Sequence, residues 1–232
     1  MKHVQIKKDL NKKSNRLRAA VMGSNDGILS VSGLVIGVAS ANSSKILILT
    51  AGLAGIVAGA ISMSAGEYIS VSAERDNEKA LIEKEKSELE ENPNYELDEL
   101  THLYQNRGLD HLTAKKVAKE LTATDALAAH SDMELKINPS ELTNPWNAVS
   151  ASAVSYTLGA MIPLIAIMLP IGIYTIPFTF VAVIIALTIT GYISAKISGS
   201  SVNKSILRIV LIGAAAMTIT FIIGNIFKVV GV

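Results

Sequence analysis

The chain has 232 residues, half of them hydrophobic, with 21 basic against 20 acidic residues and no cysteine. Without cysteine there is no disulfide, no thiolate metal site and no Cys nucleophile, so any metal must be held by oxygen, nitrogen or thioether ligands. Charge is segregated rather than interleaved: between Ala19 and Ala73 only Asp26, Lys45 and Glu67 are charged, a pattern that excludes a solvated globular surface and predicts an integral membrane protein.

In chain order, residues 1–18 form a basic segment carrying Lys2, Lys7, Lys8, Lys12, Lys13, Arg16 and Arg18. The apolar run after it is too long for a cleavable signal sequence and reads as a retained first span. Five spans are predicted: Leu17 to Ser40, Ile46 to Ser72, Val149 to Leu169, Tyr174 to Ala195, and Ile206 to Val230. Basic residues precede the first span while the loop after it offers only Lys45, so the N-terminus is expected on the cytoplasmic side, with Lys196, Lys204 and Arg208 on that side too.

Between spans two and three lies different material. Residues 74–146 hold 17 of the 20 acidic residues against nine Lys or Arg, a formal charge of minus eight. The run AERDNEKALIEKEKSELEEN lacks Gly and Pro and continues span two as a helix until Pro93 stops it. A second helix fits Tyr95 to Arg107, closed by Gly108, and a third follows with Thr113 and Thr124 as expected N-caps. The predicted fold is therefore all-α and membrane-embedded: residues 1–18 basic and cytoplasmic, 19–73 holding helices one and two, 74–146 a cytoplasmic acidic helical module, and 147–232 holding helices three to five. Five spans do not divide into equal inverted halves, so a symmetric pathway requires a homodimer.

Two carboxylates sit inside the first two spans. Asp26 is eight residues beyond Arg18 and Glu67 seven before Glu74, or roughly 12 Å and 10 Å at 1.5 Å per residue, so the pair is expected at one depth. Met22 precedes Asp26 by four residues and Met63 precedes Glu67 by four, placing a thioether on each carboxylate's helical face. An acid within a membrane helix costs about 2.5–3.5 kcal/mol and marks a pathway or proton relay. The structural alternative has Asp26 hydrogen-bonding a neighbouring helix, Glu67 reaching back to the cytoplasmic interface, and both methionines serving as packing.

The residues MGSNDGILSVSGLVIGV, then TAGLAGIVAGAISMSAGEYISVSAERDNEKA and later LGAMIPLIAI, resemble the vacuolar iron transporter family over nearly the whole chain. The resemblance implies a five-span homodimer in the membrane that exports Fe2+, and often Mn2+, from the cytosol in exchange for protons. It implies that Asp26 and Met63 are pore residues, that no cofactor is permanently bound, and that the partners are lipid, metal ions, protons and a second copy. The pore glutamate known in that family falls on Gly55 here, and Glu67 is the candidate replacement.

By the same resemblance the metal-gathering residues of the acidic module are Glu85, Glu88, Glu96, Glu99 and Glu134, with His130 where the family has a methionine and Ser131 where it has a second. Read without the resemblance, these glutamates are a solvated face partnered by Lys79, Lys84 and Lys86. Imidazole suits first-row divalent ions, so His130 preserves binding.

A proton-coupled exporter has rivals. A passive divalent cation channel or a metal sensor would use the same ligands without proton coupling. An oxidase is disfavoured: Glu99 and His102 give one Glu-x-x-His spacing, but neither His111 nor His130 has a ligand three residues before it, so no enzyme is expected. Nucleic-acid binding has no support, because topology already accounts for the basic N-terminus. A prokaryotic plasma membrane is the expected location.

Overall fold

The computed structural model describes residues 2–230 apart from 43, 141 and 143, with side chains described from residue 17 onward. The side chains of the basic segment before Leu17 thus lie outside the described residues. Among the described residues every regular element is helical: α1 Lys2–Ala41, α2 Lys45–Glu91, α3 Pro93–Asn106, α4 His111–His130, α5 Pro145–Met168, α6 Thr175–Ser198 and α7 Val202–Val230. Among the described residues five helices are long and apolar enough to cross a membrane: α1 from Leu17, α2, α5, α6 with the turn before it, and α7. At 47 residues α2 far exceeds the roughly 20 that a bilayer needs, and its charged part from Glu74 onward lies beyond the apolar stretch.

The chain divides into two compact units, Met1–Tyr68 with Trp146–Val232, and Ile69–Pro145. In the first, α1 is the central helix. One face packs Val31 and Val35 against Ile48 and Ile56 of α2 and Tyr156, Ala160 and Leu164 of α5. The opposite face packs Ile28 and Ile36 against Val183 and Leu187 of α6 and Met217 of α7. Small residues permit the approach of α1 to α5: a Cβ on Gly27 would collide with the Tyr156 carbonyl oxygen and press the Ala160 nitrogen. Near one end of this unit Tyr68 and Trp146 pack with ring centroids 5.2 Å apart and planes tilted by 51°, an aromatic pair of the kind that sits at membrane–water interfaces.

The second unit is built around Leu100, Ala118 and Met133, flanked by Leu97, Leu103, Tyr104 and Ala129. Pro93 both ends α2 and opens α3 as its first residue, since the missing N–H of proline is one a helix start leaves unbonded anyway. Gly108, at φ +98, turns the chain out of α3. The helix starts differ from those expected. Asp110, not Thr113, caps α4, accepting from the Leu112 and Thr113 backbone N–H groups at 3.0 and 3.2 Å. Likewise Asp125, not Thr124, caps the second part of α4: its backbone leaves the helical region at φ −160 and ψ 96, and its carboxylate accepts from the Ala128 N–H at 2.9 Å. Thr124 instead donates to the Glu120 carbonyl. Asp110, three residues ahead of Thr113, takes the first cap with its carboxylate, while Thr124 spends its hydroxyl on the Glu120 carbonyl and leaves the second cap to Asp125.

Candidate metal-binding sites

Two groups of polar side chains need an account, one in each unit. In the Ile69–Pro145 unit, α2 supplies Glu85, α3 supplies Glu96 and the end of α4 supplies His130, all buried, with His130 fully enclosed. His130 Nδ1 lies 3.1 Å from a Glu85 oxygen and 3.7 Å from a Glu96 oxygen. One ligand atom from each of the three lies within 4.8 Å of the others. Ligands of a single ion at bonds of about 2.0–2.2 Å are at most roughly 4.4 Å apart, so this spacing admits one ion with small side-chain adjustments.

The hydrogen-bonding state of the cluster is incomplete. Although His130 Nδ1 and Glu85 Oε1 lie 3.1 Å apart, they are not aligned as a hydrogen bond, and among the described residues neither His130 nitrogen, Glu85 Oε1 nor the neighbouring Ser131 hydroxyl has a hydrogen-bond partner. Buried polar atoms are rarely left unpaired, and each such atom costs about 1–3 kcal/mol. A divalent cation coordinated by an imidazole nitrogen and carboxylate oxygens removes that cost, and this donor set suits first-row transition ions better than Mg2+ or Ca2+.

The electrostatics agree. Burial raises the Glu85 carboxyl to about 7, helped by the charges of Glu134 and Glu96 and a hydrogen bond with Glu134. Glu96 is raised by burial and then by Glu99 and Glu88, and Glu134 by burial and then by Glu99. Burial lowers His130, so its imidazole is neutral at physiological pH and its lone pair is available. Carboxylates crowded so that they hold protons are poised to give them up to a cation.

Glu134 lies in the π-helical turn Ser131–Leu135 that follows α4, and Lys136 then closes the turn with φ 57. A π-turn at the end of a helix re-aims side chains and recurs at functional sites. Glu134 is exposed as a residue although its carboxyl is partly desolvated beside Glu85, whereas Glu88 and Glu99 are half-buried. Glu88 is also engaged by Lys84 at 2.9 Å. The structure thus brings Glu85, Glu96 and His130 into one buried group, places Glu134 in hydrogen-bonding reach of Glu85, and leaves Glu88 and Glu99 as a charged surround. His102, the other half of the Glu-x-x-His spacing, is exposed.

In the other unit, Asp26 stands on the exposed side of α1 in line with Met22, Ser30 and Leu34. Met63 and Glu67 on α2 are half-buried, and Met63 packs against the cluster that contains Tyr156. No hydrogen bond or ion pair joins Asp26 to Glu67 among the described residues. Gly55 faces Leu34, an apolar neighbour.

One residue that the sequence did not single out ties this region together. Tyr156 is 2% exposed, and its hydroxyl lies 2.8 Å from the Ser30 hydroxyl. Ser30 spends its single hydroxyl hydrogen on the Asp26 carbonyl at 2.6 Å, so Tyr156 is the donor to Ser30 and its oxygen keeps free lone pairs. On the α2 side the ring and hydroxyl fill the space left by Gly59, where any Cβ would collide with them. The signal available in the sequence was an aromatic hydroxyl inside an apolar span, with a glycine one turn before Met63 to receive it.

Comparison with known proteins places these sites in context. The family model described as VIT family matches residues 17–225. The chain is 41% identical over 209 residues to "Vacuolar iron transporter" of Acanthamoeba castellanii, covering 90% of this chain and 77% of that protein. It is 32% identical over 215 residues to "Vacuolar iron transporter homolog 2.1" of Arabidopsis thaliana, covering 92% and 82%. It is 29% identical over 209 residues to "Vacuolar iron transporter 1" of Eucalyptus grandis, covering 88% and 84%.

Proposed function

Since the chain belongs to the VIT family, we propose that it carries Fe2+ and Mn2+ out of the cytosol in exchange for protons. The observation that carries this reading is the buried group of Glu85, Glu96 and His130 with its unpaired ligand atoms. The acidic unit collects metal from dilute solution, first by its net negative charge and then by coordination. Glu85, held at about 7 and so partly protonated at neutral pH when the site is empty, surrenders that proton as metal binds.

The membrane unit then provides the path. The stripe of Met22, Asp26, Ser30 and Leu34 lies open on a single chain, although α1 is otherwise the central helix. Leaving a carboxylate and a hydroxyl against lipid is costly, and a second copy related by a two-fold axis covers the same stripe on both chains. That places two Asp26 carboxylates about one axis, where each alternately holds a proton or a cation. Met63 supplies a soft ligand that favours transition ions. The distribution of basic residues puts the N-terminus in the cytoplasm.

A passive channel is the second reading, and one observation favours it. Gly55 lies against Leu34, so no carboxylate stands there to take part in proton exchange.

Mn2+ binding by electron paramagnetic resonance on the purified full chain tests the metal site. Glu85→Gln and His130→Ala each weaken binding by about ten-fold or more, while Asp26→Asn leaves this binding intact. Wild-type affinity in both cluster variants contradicts the assignment.

A further inference from the structure

A cavity of about 770 Å³ opens at the Ser40 end of the membrane unit, enclosed by the last turn of α1, the start of α2, the α5–α6 connection and the end of α7. Its walls are largely apolar, including Ile48, Ile167, Ile173, Ile176 and Phe221, yet Lys45 and Lys228 both line it. No Asp or Glu occurs anywhere after Glu141, and between Ala19 and Ala73 the acids are Asp26 and Glu67. Asp26 is 14 residues before Ser40 on α1, roughly 21 Å down the helix. Neither lysine forms an ion pair among the described residues, and the only other side-chain polar groups on the wall are those of Ser40, Thr175 and Asn225.

Two like charges converging on one apolar cavity repel each other, and a bound anion reverses that sign. Ser40 donates to the Gly37 and Phe221 carbonyls, Thr175 to the Gly172 carbonyl and Asn225 to the Phe221 carbonyl, which leaves the lysines as the cationic groups that recognise the anion. The cavity lies at the end of the span-forming helices, where lipid headgroups meet hydrocarbon, and its volume falls within the range of small-molecule sites. We infer that this cavity binds the phosphate of an anionic membrane lipid, with Lys45 and Lys228 on the phosphate and the apolar walls holding the glycerol and proximal acyl carbons. The shared chemistry is a phosphate oxyanion; the apolar walls choose the lipid over free phosphate. Such a lipid fastens the ends of α1, α2 and α7 together at the face opposite the basic N-terminus.

Native mass spectrometry of the full chain in detergent tests this with three probes: phosphatidylglycerol, phosphatidylcholine and inorganic phosphate. Wild type is expected to retain phosphatidylglycerol at least ten-fold more than phosphatidylcholine, with a parallel rise in melting temperature. The Lys45→Gln, Lys228→Gln double variant is expected to lose that preference, and Lys45→Arg, Lys228→Arg to keep it, which separates lost recognition from a folding defect. Equal retention of the two lipids by wild type overturns the inference. So does stabilisation by inorganic phosphate without phosphatidylglycerol binding, which makes the cavity a free-anion site, and so does unchanged preference in the Gln variant.

Discussion

Glu85 shows how a single buried side chain ties stability to ligand binding. Its carboxyl is held near 7, above the value of about 4.5 that an unfolded glutamate has. Below about pH 4.5 both states carry the proton. Between there and about 7 the folded state binds more protons than the unfolded one, so stability falls as pH rises through that window, by roughly 3 kcal/mol at full deprotonation. Glu96 and Glu134 shift in the same direction. The metal-free chain should therefore melt at a lower temperature at pH 8 than at pH 6, and saturating Mn2+ should abolish or reverse the difference; a melting temperature independent of pH would remove the electrostatic argument. The same competition makes Mn2+ affinity rise with pH and level off only above about 7. Tyr156→Phe probes the other unit: it keeps the ring and deletes the donor to Ser30. Uptake should fall several-fold while the melting temperature changes little, whereas unchanged uptake would leave the phenol a packing group.

At the scale of elements, close approach of helices sets the geometry. Gly27→Ala would drive a methyl into the Tyr156 carbonyl of α5, and backbone has no rotamer with which to yield. About 1–3 kcal/mol of destabilisation is expected from such overpacking, read as a lower melting temperature in detergent. In the acidic unit, Leu100→Ala removes a fully buried side chain from a three-residue core and should cost about 2–5 kcal/mol, with weaker Mn2+ binding as the helices bearing Glu85, Glu96 and His130 loosen. The helices themselves were legible from apolar runs, from Pro93 and from Gly108, because these are local signals. The caps at Asp110 and Asp125 were not, since threonine and aspartate both cap well and the choice depends on which hydroxyl bonds backward. Nor was Tyr156, whose importance comes from a contact between spans 126 residues apart in sequence.

For the whole molecule, the sequence could place Glu85, Glu88, Glu96, Glu99, His130 and Glu134 in a ligand set only through family resemblance, because helix periodicity cannot rank which of several acidic faces turns inward. Burial makes that distinction, enclosing Glu85, Glu96 and His130 and leaving Glu134 outside. Transport itself is read out by flux. Proteoliposomes reconstituted with wild type or Asp26→Ala would be given Fe2+ or Mn2+ while metal uptake and internal pH are recorded together. Metal uptake with opposite proton movement is expected in wild type, and both should be lost in Asp26→Ala. Metal flux without proton movement would contradict the exchange and leave a channel, and binding without flux would leave a sensor.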